Sequence, residues 1–245
     1  MRRPTAVVVC LLAAAAAVPA ADGPPAGRLR GEIKRDRLHA VAGATVVAVR
    51  EEPPPALAVT LSDRRGAFAF DGLEPGAWTV LAAEGGVLIG RVPGVAVRGP
   101  FRAVADVEAG APAGERLRVA LPAGDGPCAV AVRAVDPRFR PMSGVLVEVE
   151  PVAHRADPVA ARTGQDGEAR FGPVACGAWR VRAARAGWIT LALPEVSWPA
   201  GEARILLRLL PVDRETPPPL DELLPPPELL EPATEPARES SSTRS

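Results

Sequence analysis

Histidine, the commonest carrier of acid-base and metal chemistry, occurs only twice in this 245-residue chain, as His39 and His154. The two fall near strand connections far apart in sequence, which suits solvent-exposed positions better than a shared metal or a base beside a nucleophile. No Gly-x-Ser-x-Gly elbow and no phosphate-binding Walker loop occurs. These residue types argue against an enzyme, and no cofactor or metal site is expected. Of three cysteines, Cys10 sits inside an apolar leader, which leaves Cys128 and Cys176 as an even pair. Their wide spacing and lack of histidine neighbours favour a structural disulfide over a redox pair or a metal site.

Two groups of side chains could instead do binding chemistry. Arg170, Arg180 and Arg182 alternate with Phe171, Trp179 and Val181, and Arg204 and Arg208 extend the pattern. Read at a period of two, these arginines point outward together as a stripe. Such a stripe either holds a polyanionic polysaccharide or an acidic protein surface, or simply keeps one sheet face solvated. The second group is aromatic. Trp78 and Trp179 occupy equivalent positions and read as core. Trp188 and Trp198 have no such partners and are the candidates for a glycan platform, against the alternative of packing under loops.

The elements that must position these residues repeat. Gly43, Gly66, Phe70, Gly76, Ala77, Trp78 and Val80 recur 101 residues later as Gly144, Gly167, Phe171, Gly177, Ala178, Trp179 and Val181. A gap-free register over that span predicts two copies of one small β fold. Phe68 and Phe70, Trp78 and Val80, and Leu117, Val119 and Leu121 alternate with polar or small residues, the signature of half-buried antiparallel strands. Turns fall at Ser62-Asp63-Arg64-Arg65-Gly66 and Leu73-Glu74-Pro75-Gly76, and again at Thr163 to Gly167 and Val174 to Gly177. The pairing of Ala113-Gly114-Glu115 with Ala200-Gly201-Glu202 lowers the offset to 87. It predicts about fourteen extra residues in the first copy, within Arg98 to Ala113, as a surface insertion or a binding loop.

The ends of the chain are of a different kind. Arg2 and Arg3 precede an apolar run from Ala6 to Val18 and the small-residue site Val18-Pro19-Ala20, the pattern of a secretory signal peptide cleaved near Ala20. No later stretch has the length and apolarity of a membrane span. The chain carries 29 basic and 29 acidic residues, and Lys34 is its only lysine. That balance gives no field that would demand nucleic acid or a membrane. From Pro211 onward nine prolines and eight acidic residues against three arginines predict an extended, disordered tail, a spacer or a docking segment.

Gly31-Glu32-Ile33, Gly43-Ala44-Thr45-Val46, Ser62-Asp63 with Gly66-Ala67-Phe68-Ala69-Phe70, and Gly76-Ala77-Trp78-Thr79-Val80 together resemble the carboxypeptidase regulatory-like domain, with tryptophan at the family's usual tyrosine in both copies. The resemblance implies transthyretin-like or prealbumin-like β-sandwiches that serve as accessory modules of exported proteins. At superfamily level it extends to starch-binding-like sandwiches. The histidine and arginine site and tyrosine-rich C-terminal motif of hydroxyisourate hydrolases are not recognisable. The expected plan is all-β: a signal peptide over residues 1–20, sandwiches over 27–122 and 127–211, and a tail over 212–245. The expected function is a secreted or periplasmic, non-catalytic binding or structural module of the bacterial envelope. Its partner would be an envelope polysaccharide or an exported protein, the alternatives being carbohydrate binding or service as accessory subunit to an exported peptidase or secretion complex.

Overall fold

The computed structural model describes residues 26–212 except 37, 100, 111–113, 153–156 and 199. The expected signal peptide, the expected tail beyond residue 212 and His154 lie outside the described residues. The first copy is built from β1 (Gly27–Arg35), β2 (His39–Ala40), β3 (Thr45–Arg50), β4 (Ala56–Leu61), β5 (Ala67–Leu73), β6 (Gly76–Glu84), β7 (Val87–Val97), β8 (Arg102–Val104) and β9 (Val107–Ala109). A short β10 (Val119–Ala120) follows. The second copy is built from β11 (Ala129–Val135), β12 (Leu146–Pro151), β13 (Val159–Arg162), β14 (Glu168–Phe171), β15 (Gly177–Ala184), β16 (Leu191–Trp198) and β17 (Glu202–Arg208). The fold is all-β, with strands stacked as sandwich layers.

The two copies are fused through a common sheet. Its seven strands run β14-β11-β17-β4-β3-β6-β7, and the junction is a parallel pairing of β17 with β4, Arg204 to Ala56 through Leu207 to Val59. One outer sheet, β2-β1-β5 with β8 and β9 on β1, covers the first copy's share of this central sheet. The other outer sheet, β10-β16-β15-β12-β13, belongs to the second copy. The apolar sequence explains the three layers. In β3 the run Val46-Val47-Ala48-Val49 is buried throughout: Val46 and Ala48 join a core with Leu29, Phe68 and Phe70, while Val47 and Val49 join a second core with Val130, Val147 and Ile205. β4 and β6 divide in the same way. A strand buried on both faces needs a continuous apolar run, and these three have one. Their counterpart β12, Leu146-Val147-Glu148-Val149-Glu150, keeps charge at alternate positions because one face meets water.

The shared sheet and the second core cross the division expected between residues 122 and 127, and the pairing of copy ends is corrected. The offset of 101 persists to the end of β7, where Val95 opposite Trp78 matches Val196 opposite Trp179. β8 and β9 then lie parallel to β1 as β17 lies parallel to β11: Ala103 faces Leu29 and Ala203 faces Val130. The counterpart of β17 is therefore β8–β9, and the expected insertion is made of strands. Residues 114–121 are a connector instead. Leu117, Val119 and Leu121 are buried in the second core, and β10 pairs in parallel with β16. The sheets are thus mixed rather than purely antiparallel.

The turns repeat down to single hydrogen bonds. Ser62 Oγ accepts from the Ala44 amide and donates to the Val41 carbonyl, and Thr163 Oγ1 accepts from Val145 and donates to Met142. Gly66 and Gly167 have φ of 73° and 75°, and an added Cβ would stand 2.4 Å from the Ile33 carbonyl and 2.7 Å from the Ala134 carbonyl. Only glycine fits there. The Cys128–Cys176 disulfide closes a sequence separation of 48 residues across the second copy. By loop-closure entropy that amounts to about 4 kcal/mol as an upper figure.

Candidate functional site

The arginine stripe divides between two sheets. Arg170 lies on β14 in the central sheet, whereas Arg180 and Arg182 lie on β15 in the second outer sheet. The physical reason is that β14 and β15 belong to opposite layers of the sandwich, so their outward faces point away from one another. On β15 each arginine faces a carboxylate across the strand pair, Arg180 to Glu150 at 3.5 Å and Arg182 to Glu148 at 3.6 Å. Exposed pairs of this kind keep a sheet face solvated and add little stability. Arg204 does group with Arg170, because both stand in register with Ala131 on β11.

That second grouping borders a groove of about 600 Å3 between the copies. Its floor includes Ala131 and Arg133 of β11 with Arg204 and Leu206 of β17, and Asp71 and Glu74 stand at its other side. The step exists because β5 is the edge of its sheet, so the first outer layer stops there and leaves the β14-β11-β17 face open. Glu74 draws guanidinium groups from both copies: Arg204 at 2.6 Å and Arg50, whose side chain is largely buried. Sequence spacing missed Glu74, Arg133 and Phe139, and Glu74 comes to line the same groove as the other two because β17 pairs with β4. The one available signal was the doubly apolar run of β4, which called for a cover on each face.

Phe139 borders the groove and lies 5.1 Å beneath the Arg208 guanidinium. Burial pushes the Arg208 pKa down, Arg30 adds to that, and Asp63 and Asp136 oppose it. The turn that presents Phe139, at φ 60°, is held by Asp136: Oδ1 accepts from the amides of Arg138 and Arg140 at 2.8 and 2.9 Å, and Oδ2 accepts from Arg140 Nε at 2.8 Å. Burial alone would raise the Asp136 pKa, but the Arg140 amide and guanidinium and the Arg138 amide outweigh it and hold the carboxyl below its ordinary value. A depressed carboxyl contributes stability that is present above the unfolded value near 3.9 and is lost as pH falls through the lower folded value. Asp136→Asn is therefore expected to cost about 1–2 kcal/mol at neutral pH. Melting temperatures measured from pH 6 down to pH 2 should show the gap between variant and wild type closing at the acid end, and a gap independent of pH would count against this role.

The reading of Trp198 as a surface platform is also corrected. Trp198 is fully buried, its ring centroid 6.1 Å from that of Trp179 with the planes 19° apart, so it offers no platform to a sugar. It points inward because it follows Val196 by two residues on β16, on the core face. Trp188 is half-buried against the same core and bridges to Pro211. His39 is exposed on β2. Among the described residues no group of three histidine, cysteine, aspartate or glutamate side chains could hold a metal, and no helix is long and apolar enough to cross a membrane.

No protein-family model matches the chain, and no curated protein matches it. Among solved structures it is similar to the Bacillus anthracis TIE protein at 15% identity and a TM-score of 0.29, over 77% of this chain and 34% of that one. It is similar to a streptococcal ancillary pilin at 12% identity and a TM-score of 0.27, over 77% of this chain and 63% of the pilin. The minor pilin GBS52 of Streptococcus agalactiae gives 10% identity and a TM-score of 0.29, over 78% of this chain and 99% of that one. The chain thus spans about a third of the length of the first and less than two thirds of the second.

Proposed function

We propose that the chain is an exported, non-catalytic binding and structural module of the cell envelope, of the carboxypeptidase regulatory-like type, acting in the periplasm or outside the cell. The observation that carries this reading is the β17–β4 junction. It makes two repeats one continuous sheet with cores on both faces. Such a body holds its outer faces at fixed separation and orientation, which is what positioning or bridging requires. The Cys128–Cys176 disulfide agrees with an oxidising compartment. The paired charges of the β12–β15 face leave an open surface suited to a partner rather than to enclosed chemistry.

The reading is tested by fractionating cells that express the chain, sequencing the N-terminus of the recovered protein and titrating its thiols. The expected product starts at Ala21, is found in the periplasmic or secreted fraction and has no free thiol. A full-length cytosolic chain with three reactive cysteines would overturn the proposal.

A further inference from the structure

We propose that the β1–β8 corner of the first outer sheet is a docking surface for anionic phospholipid membranes. Outward-facing residues of three strands fall in rows there. Arg28 stands in register with Arg102 on one side and Asp71 on the other, and Arg30 stands between Val104 and Ala69. Leu29 and Ala103, on the opposite face, pack into the core, which fixes the arginines outward. Arg98 precedes β8 and is exposed. Four arginines thus gather where Asp71, 3.2 Å from Arg28, is the one ion-paired carboxylate, and the next row along β1 carries Glu32, paired with Lys34, and Asp106. Arg30, Arg98 and Arg102 have no ion-pair partner among the described residues. This differs from the β15 face, where arginines and glutamates alternate in pairs.

Apolar side chains share the same edge. Phe101 is 72% exposed and Val104 59% exposed, although the large apolar residues of β1, β5 and β9 are buried; the exposed Leu38 lies at the other end of β1, in its turn to β2. An exposed phenylalanine flanked by guanidinium groups fits the boundary between headgroups and acyl chains, where arginines meet phosphates and the ring leaves water. Charge complementarity and the projecting ring favour a lipid surface over a soluble polyanion, for which the arginines would suffice without Phe101. The net charge of the whole chain conceals the site, because compensating acids lie elsewhere. The inference agrees with export to the envelope, but vesicle binding is measured on purified protein and can fail or succeed apart from localisation.

The test uses residues 21–245, because the described fold begins at Ala26 and the leader's apolar run would itself enter lipid. The protein is expected to cosediment with vesicles mixing phosphatidylglycerol and phosphatidylcholine, to release them as salt rises, and to ignore pure phosphatidylcholine. Arg102→Ala is expected to weaken binding about fivefold, the equivalent of about 1 kcal/mol per basic residue at a charged surface. Phe101→Ser should weaken it at moderate salt as well. Both positions are exposed, so the fold should survive, which circular dichroism checks. Arg180→Ala with Arg182→Ala, on the other outer sheet, should bind as wild type does. A Phe101→Trp variant should be quenched by brominated lipid more strongly than the wild-type protein. Equal binding to both vesicle types, wild-type binding by the Phe101 and Arg102 variants, or capture by soluble dextran sulfate without capture by vesicles would overturn the proposal.

Discussion

A fragment of residues 21–122, the first copy as sequence alone delimits it, is expected to aggregate or to persist as a loosely packed state. In the whole chain Val47, Val49, Leu57, Val59 and Leu81 lie in the core shared with the second copy. Cutting the chain at residue 122 removes β11, β16 and β17 from that core and leaves β4 with an unpaired edge. At about 1.5–3 kcal/mol per buried side chain, the loss is on the order of 10 kcal/mol, an upper figure because unfolded chains bury part of this surface. That is comparable with the whole stability of an ordinary domain. Keeping residues 110–122 does not restore it, since β10 has no β16 to pair with. The checks are dye binding to exposed apolar surface, near-ultraviolet circular dichroism and sedimentation. The full protein should unfold in one cooperative step. A monomeric fragment with a sharp transition close to that of the full protein would show that the copies fold independently.

Much of each copy was legible because its signals are local. The glycine of the Asp63–Gly66 turn, the Ser62 hydroxyl just before it and the alternation of Phe68 and Phe70 are fixed within a few residues, so the copy at Asp166 and Gly167 could be recognised by spacing. What sequence reasoning lost was decided by long-range pairing. The β17–β4 junction joins Ile205 to Leu57, and nothing near either residue specifies the other. Its trace is indirect: Val46-Val47-Ala48-Val49 lacks the polar alternation that Glu148 and Glu150 give the second copy. The false pairing of Ala113-Gly114-Glu115 with Ala200-Gly201-Glu202 arose because a short glycine turn followed by alternating apolar residues occurs in both the connector and the strand. The arginine stripe failed for a related reason. Alternation tells which side of its own strand a residue occupies, but not that β14 and β15 lie in different layers. The basic corner at Arg28, Arg30 and Arg102 was equally hidden, since β1 and β8 are brought together only by the parallel return of the chain.

Trp198→Ala is expected to act on stability rather than on recognition. The side chain is fully buried and stacked on Trp179, and removing so large a group from a core costs about 3–5 kcal/mol. For a chain of this size, that shifts the melting temperature by roughly 10 °C or more. Trp198→Phe separates the two possible origins of the effect. Trp78 Nε1 donates to the Glu74 carbonyl at 3.1 Å and Trp179 Nε1 to the Ala175 carbonyl at 2.9 Å, whereas Trp198 Nε1 is buried without an acceptor among the described residues. Phenylalanine keeps an aromatic ring against Trp179 and discards that unsatisfied donor, so its loss of volume is partly offset and the net cost should stay below about 1.5 kcal/mol. The position also differs between the copies in a telling way: 101 residues earlier stands Val97, also buried, so the second copy fills with a bicyclic ring what the first fills with a branched aliphatic. Denaturant unfolding of the wild type and both variants decides the matter. A folded Trp198→Ala protein of near wild-type stability that had lost binding to an envelope polysaccharide would return this residue to the surface role that its burial argues against.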